Sequence, residues 1–398
     1  MSRLRILALL CLAQLLGMSV WFSSSAMVPA LRAEWRLNDA GAAWLTLAVQ
    51  LGFVAGTLLS ALVNLPDIVR LRRLVAFSMA GAAAANAWIG LFARGPAAAV
   101  FLRFLTGFFL AGMYPPGMKL IATWFREGRG AAIGTLVGAL TVGKAVPYLV
   151  NAVGSADWRR NNAALSLAAL AGALIMLLFV GEGPYAPPLA RFDFRQVAAV
   201  FRDRALRLVN FGYFGHMWEL YAMWTWMPAM IRDSLAESRS PPGLAEAASF
   251  LAIGSGAVGC VLAGLAADRV GRTRVTAWAM AVSGACCLAV GMCYGSHPAL
   301  LVAVAVLWGV SVVADSAQFS ACVTELGDPR YTGTALTLQT SIGFLLTTVS
   351  VRLLPVLRRA VGWRYAYVAI APGPALGALA MLRLRALPEA GRIALGKR

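Results

Sequence analysis

Five ionisable side chains lie deep inside long apolar stretches of this sequence: Arg103, Lys144, His216, Glu219 and Asp315. A charged group at the centre of a bilayer-spanning helix costs at least about 2.5–3.5 kcal/mol. Residues that bear such a cost usually take part in function, so these five are the first candidates for chemistry.

Two of the candidates stand close together in "GYFGHMWELYAMWTW", where His216 and Glu219 are three residues apart and therefore share one face of a helix. A histidine titrates near neutral pH, and a carboxylate beside it can exchange protons with an opening cavity. This spacing favours a proton-coupling pair, with a static hydrogen-bonded packing pair as the alternative. Asp315 is expected to be a second proton site, a partner for a cation, or a packing residue.

The two cations suggest contacts with a charged solute. Lys144 lies near the middle of its apolar stretch, where it would supply a fixed positive charge to an anionic substrate, to Glu219 or to Asp315. Arg103 lies about two turns from the end of its stretch, so it either takes part in binding or protonation, or reaches out to the membrane surface. The further substrate-binding candidates are aromatic or polar: Trp21, Tyr221, Trp224 and Gln318.

The elements that must position these residues follow from composition. The chain has 398 residues, of which 60% are apolar and only 13% charged, with a mean hydropathy of +0.72. A soluble domain carries about 25% charged residues, so the sequence predicts an all-α polytopic membrane protein within the lipid bilayer. The net charge of +18 lies mainly in short loops, which argues against a nucleic-acid partner.

Enzymatic and metal chemistry are not expected. The six cysteines lack paired C-x-x-C spacing, and neither a catalytic cluster, a metal-ligand pattern nor a phosphate-binding loop is recognisable. No cofactor is predicted.

Apolar runs predict twelve membrane spans, at 4–30, 40–65, 74–93, 97–121, 131–153, 163–181, 207–231, 245–267, 275–294, 299–323, 332–354 and 365–382. They divide into an N-terminal six-helix bundle (1–181), a cytoplasmic linker with a basic amphipathic helix (182–206), and a C-terminal six-helix bundle with a short tail (207–398). Similar strings recur at offsets of 202–205 residues, which indicates a duplicated architecture.

Loop charges predict the orientation. The side that holds both termini carries 21 Lys and Arg residues and the opposite side carries ten. The positive-inside rule therefore places both termini in the cytoplasm. The excess of Arg over Lys suggests a bacterial protein, which we expect in the inner membrane as a monomer.

The loop between spans 8 and 9, "GLAADRVGRTR", carries a specific resemblance. Gly264, Asp268, Arg269, Gly271 and Arg272 fall on the G-x-L-A-D-R-x-G-R-R signature of the major facilitator superfamily. "RFLTGFFLAG" from Arg103 and "WFREGRGAAIG" from Trp124 resemble further motifs of that family, although the first-half copy of the loop signature is degraded. The resemblance implies two six-helix bundles, a central cavity, alternating access, and a gating role for the five loop residues.

The resemblance also implies a secondary active transporter, coupled to protons, that moves a small and preferably anionic solute. The sequences of spans 5 and 7 are loosely similar to those of the nitrate/nitrite porter and cyanate permease branches of the family. Spans 2 and 8 lack the paired arginines of the nitrate porters, which argues against nitrate itself. Proton-driven export of lipophilic or cationic compounds is the alternative.

Overall fold

The computed structural model describes residues 2–125, 128–154, 157–185, 197–237, 240–241, 243–328 and 332–397. Regular structure within these ranges is helical throughout. The all-α fold follows from long apolar runs whose backbone groups can be satisfied within the bilayer only by helical hydrogen bonds.

The N-terminal half forms spans 1 to 6. Their helices are Arg3–Met18, Ser23–Ala26 and Val28–Trp35 in span 1, Asp39–Leu62 in span 2, Leu71–Phe92 in span 3, Pro96–Ala111 and Tyr114–Ala122 in span 4, Arg129–Val153 in span 5, and Trp158–Phe179 in span 6. A short helix, Leu65–Ile68, connects spans 2 and 3.

The C-terminal half forms spans 7 to 12. Their helices are Arg204–Glu237 in span 7, Leu244–Gly254 and Gly256–Val270 in span 8, Arg272–Ala289 and Val290–Cys293 in span 9, Pro298–Val312 and Ser316–Leu326 in span 10, Thr332–Ala366 in span 11 and the start of span 12, and Tyr367–Ala369 and Pro372–Arg385 in the rest of span 12. Gly362, with φ of 70°, turns the chain between spans 11 and 12. A tail segment, Pro388–Gly396, follows span 12.

Nine stretches of the described residues are long and apolar enough to cross a membrane. The last of them, Thr332–Arg385, contains both spans 11 and 12 because the chain reverses at Gly362. Span 1 is interrupted and span 7 carries more polar side chains, so neither is among the nine. The observed helices are thus consistent with the predicted set of twelve.

Several observed boundaries differ from the predicted ones. Spans 1, 4, 8 and 10 are each broken into shorter helices, whereas hydropathy predicts continuous ones. Span 7 begins at Arg204 rather than at residue 207. Within the expected linker, residues 197–202 form a helix, while 186–196 and the side chains of 197–199 lie outside the described part, so the amphipathic character stays a prediction.

The two halves pack in the same way. Span 2 packs on span 4, span 3 on span 6, and span 1 on spans 5 and 6; in the second half span 8 packs on span 10, span 9 on span 12, and span 7 on spans 11 and 12. Gly107 of span 4 lies against the Val49 backbone of span 2, and Gly309 of span 10 lies against the Ala252 backbone of span 8. The same contact at an offset of about 202 residues is what the sequence repeat predicts.

The bundles meet along spans 5 and 8 and along spans 2 and 11. We call the end that holds both chain termini the terminal side, and the other end the opposite side. On the opposite side, Arg359 of span 11 lies 3.8 Å from Asp39 of span 2, and the Arg352 guanidinium lies 4.4 Å from the Trp44 ring centroid. These contacts close the opposite side between spans 2 and 11.

Candidate functional site

A narrow cavity of about 30 Å³ lies between the two bundles. Residues from spans 1, 4, 5, 7, 10 and 11 line it, among them Met18, Tyr114, Thr141, Lys144, Tyr213, Met217, Tyr221, Trp224, Ser316 and Phe344. Aromatic and aliphatic walls with a few polar groups are typical of small-molecule sites.

Lys144 supplies the positive charge of this cavity. Its ammonium donates a hydrogen bond to the Tyr221 hydroxyl at 3.1 Å. The same nitrogen lies 4.5 Å from the Trp224 ring centroid and 5.0 Å from that of Trp21, distances at which aromatic faces attract a cation. Among the described residues no carboxylate forms an ion pair with Lys144, so neither Glu219 nor Asp315 is its partner as the sequence allowed.

Two further donors stand beside this lysine. The indole N–H groups of Trp21 and Trp224 are both buried, and neither has a hydrogen-bond partner among the described residues. The two tryptophans are 203 residues apart, so they occupy equivalent positions in spans 1 and 7. The internal repeat therefore places two tryptophans at equivalent positions beside Lys144, each with an indole N–H group that has no described partner.

Glu219 lies inside the C-terminal bundle rather than on the cavity wall. Its carboxylate accepts hydrogen bonds from the Trp308 indole N–H at 2.7 Å and from the Ser283 hydroxyl at 3.0 Å. The side chain is 1% exposed, and no Lys or Arg pairs with it in the described part of the chain. A buried carboxylate held only by neutral donors is a chemically reasonable place to hold a proton.

His216 pairs with Asp315 and not with Glu219. The imidazole Nδ1 lies 2.8 Å from Asp315 Oδ1, and both side chains are buried. Neither of these two atoms forms a hydrogen bond with a described residue, so the contact is one of proximity between ionisable groups. His216 and Glu219 share a face of span 7 but do not contact each other, because Glu219 accepts from Ser283 of span 9 and Trp308 of span 10 whereas His216 contacts Asp315. Their roles in proton coupling stay a prediction.

Asp315 lies at the break between the two helices of span 10. The helix Pro298–Val312 ends before it and Ser316–Leu326 begins after it. Because Ser316 lines the cavity, the His216–Asp315 pair lies directly behind the cavity wall. The break thus places the His216–Asp315 pair next in sequence to Met217 and Ser316, which line the cavity.

Arg103 holds the break in span 1 together. Its guanidinium donates to the carbonyls of Val20 at 2.7 Å and of Trp21, to the Ser23 hydroxyl at 3.1 Å, and to the Leu45 carbonyl at 3.2 Å. Arg103 is fully buried, so it does not reach the membrane surface, and it is not part of the cavity lining. It positions Trp21 through that residue's backbone.

Gln318 lies at the terminal side and not in the cavity. Its Oε1 accepts a hydrogen bond from Arg272 Nη1 at 2.8 Å. The same guanidinium forms an ion pair with Glu325 at 2.8 Å. Sequence reasoning assigned Gln318 to substrate binding because it follows Asp315 closely, but its side chain contacts Arg272 at the start of span 9.

The loop between spans 8 and 9 makes a contact between the bundles. Gly271, with φ of 97°, permits the sharp turn that only glycine adopts readily. The Asp268 carboxylate lies against Gly130 at the start of span 5, where a Cβ would be 3.0 Å from both carboxylate oxygens. A negative charge at a helix N-terminus is favourable.

The other two loop residues have different surroundings. Gly264 faces Gly130 and Gly134 of span 5, which lets spans 5 and 8 approach closely, whereas Arg269 is exposed. Of the five loop residues, Gly264 and Asp268 therefore contact span 5 of the other bundle, whereas Arg272 forms ion pairs with Glu325 and Asp268 within the C-terminal bundle.

Sequence reasoning missed the partners of the buried acid and part of the cavity wall. Trp308, Ser283, Tyr114 and Phe344 were not singled out. Trp308 offered one signal, because a tryptophan in the middle of an apolar span is too deep to be an interfacial anchor.

Two repeated six-helix bundles around a central cavity define a membrane transport protein of the alternating-access class. The sequence profile described as Major Facilitator Superfamily matches residues 9–351 and, in a second match, 210–398. The chain belongs to the major facilitator superfamily. It is therefore a multi-pass membrane transporter and not an enzyme.

The fold is similar to that of a solved member of the superfamily. The structure of the proton:xylose symporter XylE bound to 6-bromo-6-deoxy-D-glucose superposes with a TM-score of 0.72, at 15% sequence identity, over 96% of this chain and 95% of that one. At this identity the likeness concerns the fold alone. No curated protein matches the sequence.

Proposed function

We propose that this transporter carries a small anionic solute together with protons across the inner membrane. The observation that carries the proposal is Lys144, a cation at the central cavity with no carboxylate partner among the described residues. Aromatic faces offset only part of the cost of burying a charge. An anion in the cavity supplies the missing counter-charge.

The donors around the cavity fit such a solute. The free indole N–H groups of Trp21 and Trp224 add two donors to the ammonium of Lys144. A buried donor without a partner is costly, and an anionic acceptor removes that cost.

Proton coupling rests on the buried acids. Among the described residues, Glu219 accepts only from the neutral donors Trp308 and Ser283, and the ionisable partner of Asp315 is His216. Neither acid touches the proposed anion, so protonation acts through rearrangement of spans 7 and 10. XylE, which shares the fold, is itself a proton symporter.

The remaining assignments follow the loop charges. We place the terminal side in the cytoplasm, with bundles at 1–181 and 207–398 joined by a cytoplasmic linker at 182–206. The residues Gly264, Asp268, Gly271 and Arg272 act as a gate on that side, and the working unit is a monomer.

Replacing Glu219 tests the coupling. In proteoliposomes, Glu219→Gln keeps exchange of labelled solute across the membrane but loses accumulation driven by a pH gradient. The amide oxygen still accepts from Trp308 and the amide nitrogen donates to the Ser283 hydroxyl, but the side chain cannot release a proton. Glu34→Gln, at an acid on the opposite side that pairs with Arg159, is the control and keeps both activities. Gradient-driven accumulation by Glu219→Gln at the wild-type level would refute the assignment.

Export of lipophilic cations is the second candidate, and the aromatic rings around Lys144 favour it specifically. An organic cation would occupy the same faces of Trp21, Tyr221 and Trp224 if the lysine moved away. Trp224→Phe separates the two functions, because it removes an N–H donor and keeps an aromatic face. Anion transport predicts weaker binding in this variant, whereas cation export predicts binding within about twofold of wild type.

A further inference from the structure

A second cavity lies on the outer surface of the C-terminal bundle, remote from the central one. It is a groove of about 540 Å³ along spans 7, 11 and 12. Its walls are mainly apolar and include Leu208, Phe211, Trp218, Leu376 and Leu379. Phe211 and Leu376 are exposed, so the groove opens towards the membrane.

The two main walls end in arginine at the same end. On span 7, Leu208, Phe211, Gly215 and Trp218 recur at intervals of three or four residues, and Arg204 stands one turn before Leu208 on that face. On span 12, Pro372, Leu376, Leu379 and Arg383 follow the same periodicity, and Arg383 itself lines the groove.

Packing between the walls fixes their relative register. Gly215 lies against Gly373, and Gly212 lies against Met381, so spans 7 and 12 run antiparallel. This register brings Arg204, at the first turn of span 7, to the level of the last turn of span 12. Both arginines therefore lie at the terminal side.

Neither arginine is neutralised within the described part of the chain. Arg204 and Arg383 are exposed and form no ion pair there. The nearest acid in sequence, Asp203, accepts a hydrogen bond from the Leu206 backbone at 2.8 Å and so caps span 7. An apolar groove thus ends in two available guanidinium groups at the level of the lipid headgroups.

We propose that this groove is a binding site for an anionic phospholipid of the terminal-side leaflet. An acyl chain lies along the apolar walls of spans 7 and 12, and the phosphate lies between Arg204 and Arg383. Guanidinium groups recognise phosphate through paired hydrogen bonds, and each basic residue near an anionic membrane surface contributes severalfold to binding. A free phosphate would gain nothing from the groove, so the lipid is the better fit.

Lipid titration of the purified protein tests the headgroup contact. Native mass spectrometry with added dioleoylphosphatidylglycerol and dioleoylphosphatidylcholine compares wild type with Arg204→Gln and Arg383→Gln. Each variant binds the anionic lipid about fivefold more weakly, and the zwitterionic lipid as before. Arg73→Gln, at an exposed arginine on the terminal side of the N-terminal bundle, retains wild-type binding. Equal binding of the anionic lipid by all four proteins would overturn the proposal.

Filling the groove tests the acyl-chain contact. Leu376→Trp narrows the groove and weakens binding of both lipids, whereas Leu382→Trp, at an exposed position outside the lining, changes neither. Glycerol phosphate in excess does not displace the bound lipid. Displacement by glycerol phosphate would show that the arginines hold a free phosphate. Unaltered lipid binding in Leu376→Trp would show that the groove plays no part in binding.

Discussion

Lys144 is the residue on which the binding site depends. Three aromatic faces and the Tyr221 hydroxyl contact its ammonium, but no carboxylate of the described residues does. In the proposed site, the lysine therefore has no counter-charge until an anion binds. The aromatic rings therefore stabilise the ammonium without neutralising its charge, which is what the proposed reversible binding of an anion requires.

Arg103 is the residue on which the shape of span 1 depends. Arg103→Met removes the donor to the Trp21 carbonyl in a buried setting, whereas the Val20 carbonyl keeps the Ser23 hydroxyl as a donor. At about 1–3 kcal/mol for a buried group left unsatisfied, we expect a loss of at least about 1 kcal/mol in unfolding free energy. Thermal unfolding of the purified protein measures it. Arg352→Met, which loses an exposed contact with Trp44, serves as the control, and equal melting temperatures for the two variants would contradict this role.

At the scale of the helices, small residues set the spacing within each bundle. A Cβ on Gly107 would collide with the Val49 carbonyl, and one on Gly309 with the Ala252 carbonyl. We expect Gly107→Ala and Gly309→Ala each to lower the unfolding free energy by about 1–3 kcal/mol, because the helix backbones must move apart.

A third glycine provides the comparison. A Cβ on Gly284 would meet Pro374 at 3.4 Å, an ordinary van der Waals contact, so Gly284→Ala is expected to be tolerated. Thermal unfolding of the three variants under one condition ranks them. A Gly284→Ala variant as destabilised as the other two would contradict the packing argument.

Hydropathy and internal similarity were sufficient to predict the helices and their repetition, but not the breaks within them. The break after Ser19 is stabilised by Arg103, which is more than 80 residues away in the sequence. The local sequence around Ser19 therefore does not predict it. His216 and Asp315 are likewise distant in sequence, so their pairing appears only when spans 7 and 10 pack. From helical spacing alone, Glu219 was the expected partner of His216, because it is only three residues away in the sequence.

For the whole molecule, the Asp268 contact with span 5 is a connection between the bundles at the terminal side. Asp268→Asn removes a charge that favours the N-terminus of span 5, an effect of about 0.3–1 kcal/mol. We expect the terminal side to open about two- to fivefold more often. In a variant with its native cysteines replaced, the rate of maleimide labelling at Thr141→Cys, on the cavity wall, measures this opening.

The control for this measurement lies on the same loop as Asp268. Arg269→Gln changes an exposed charge beside Asp268 and leaves the labelling rate near that of the parent. A rate in Asp268→Asn that is unchanged or slower would mean that this contact does not hold the terminal side closed.

The central claim for the molecule is that the cavity binds an anion through Lys144. Its most direct test is a thermal-stability screen of purified wild type and Lys144→Met against small inorganic anions, carboxylates and lipophilic cations. A ligand at 100 times its dissociation constant stabilises by about 2.7 kcal/mol. The account predicts stabilisation of the wild type by an anion and its loss in Lys144→Met. Stabilisation of both proteins by a lipophilic cation, with no response to any anion, would contradict it.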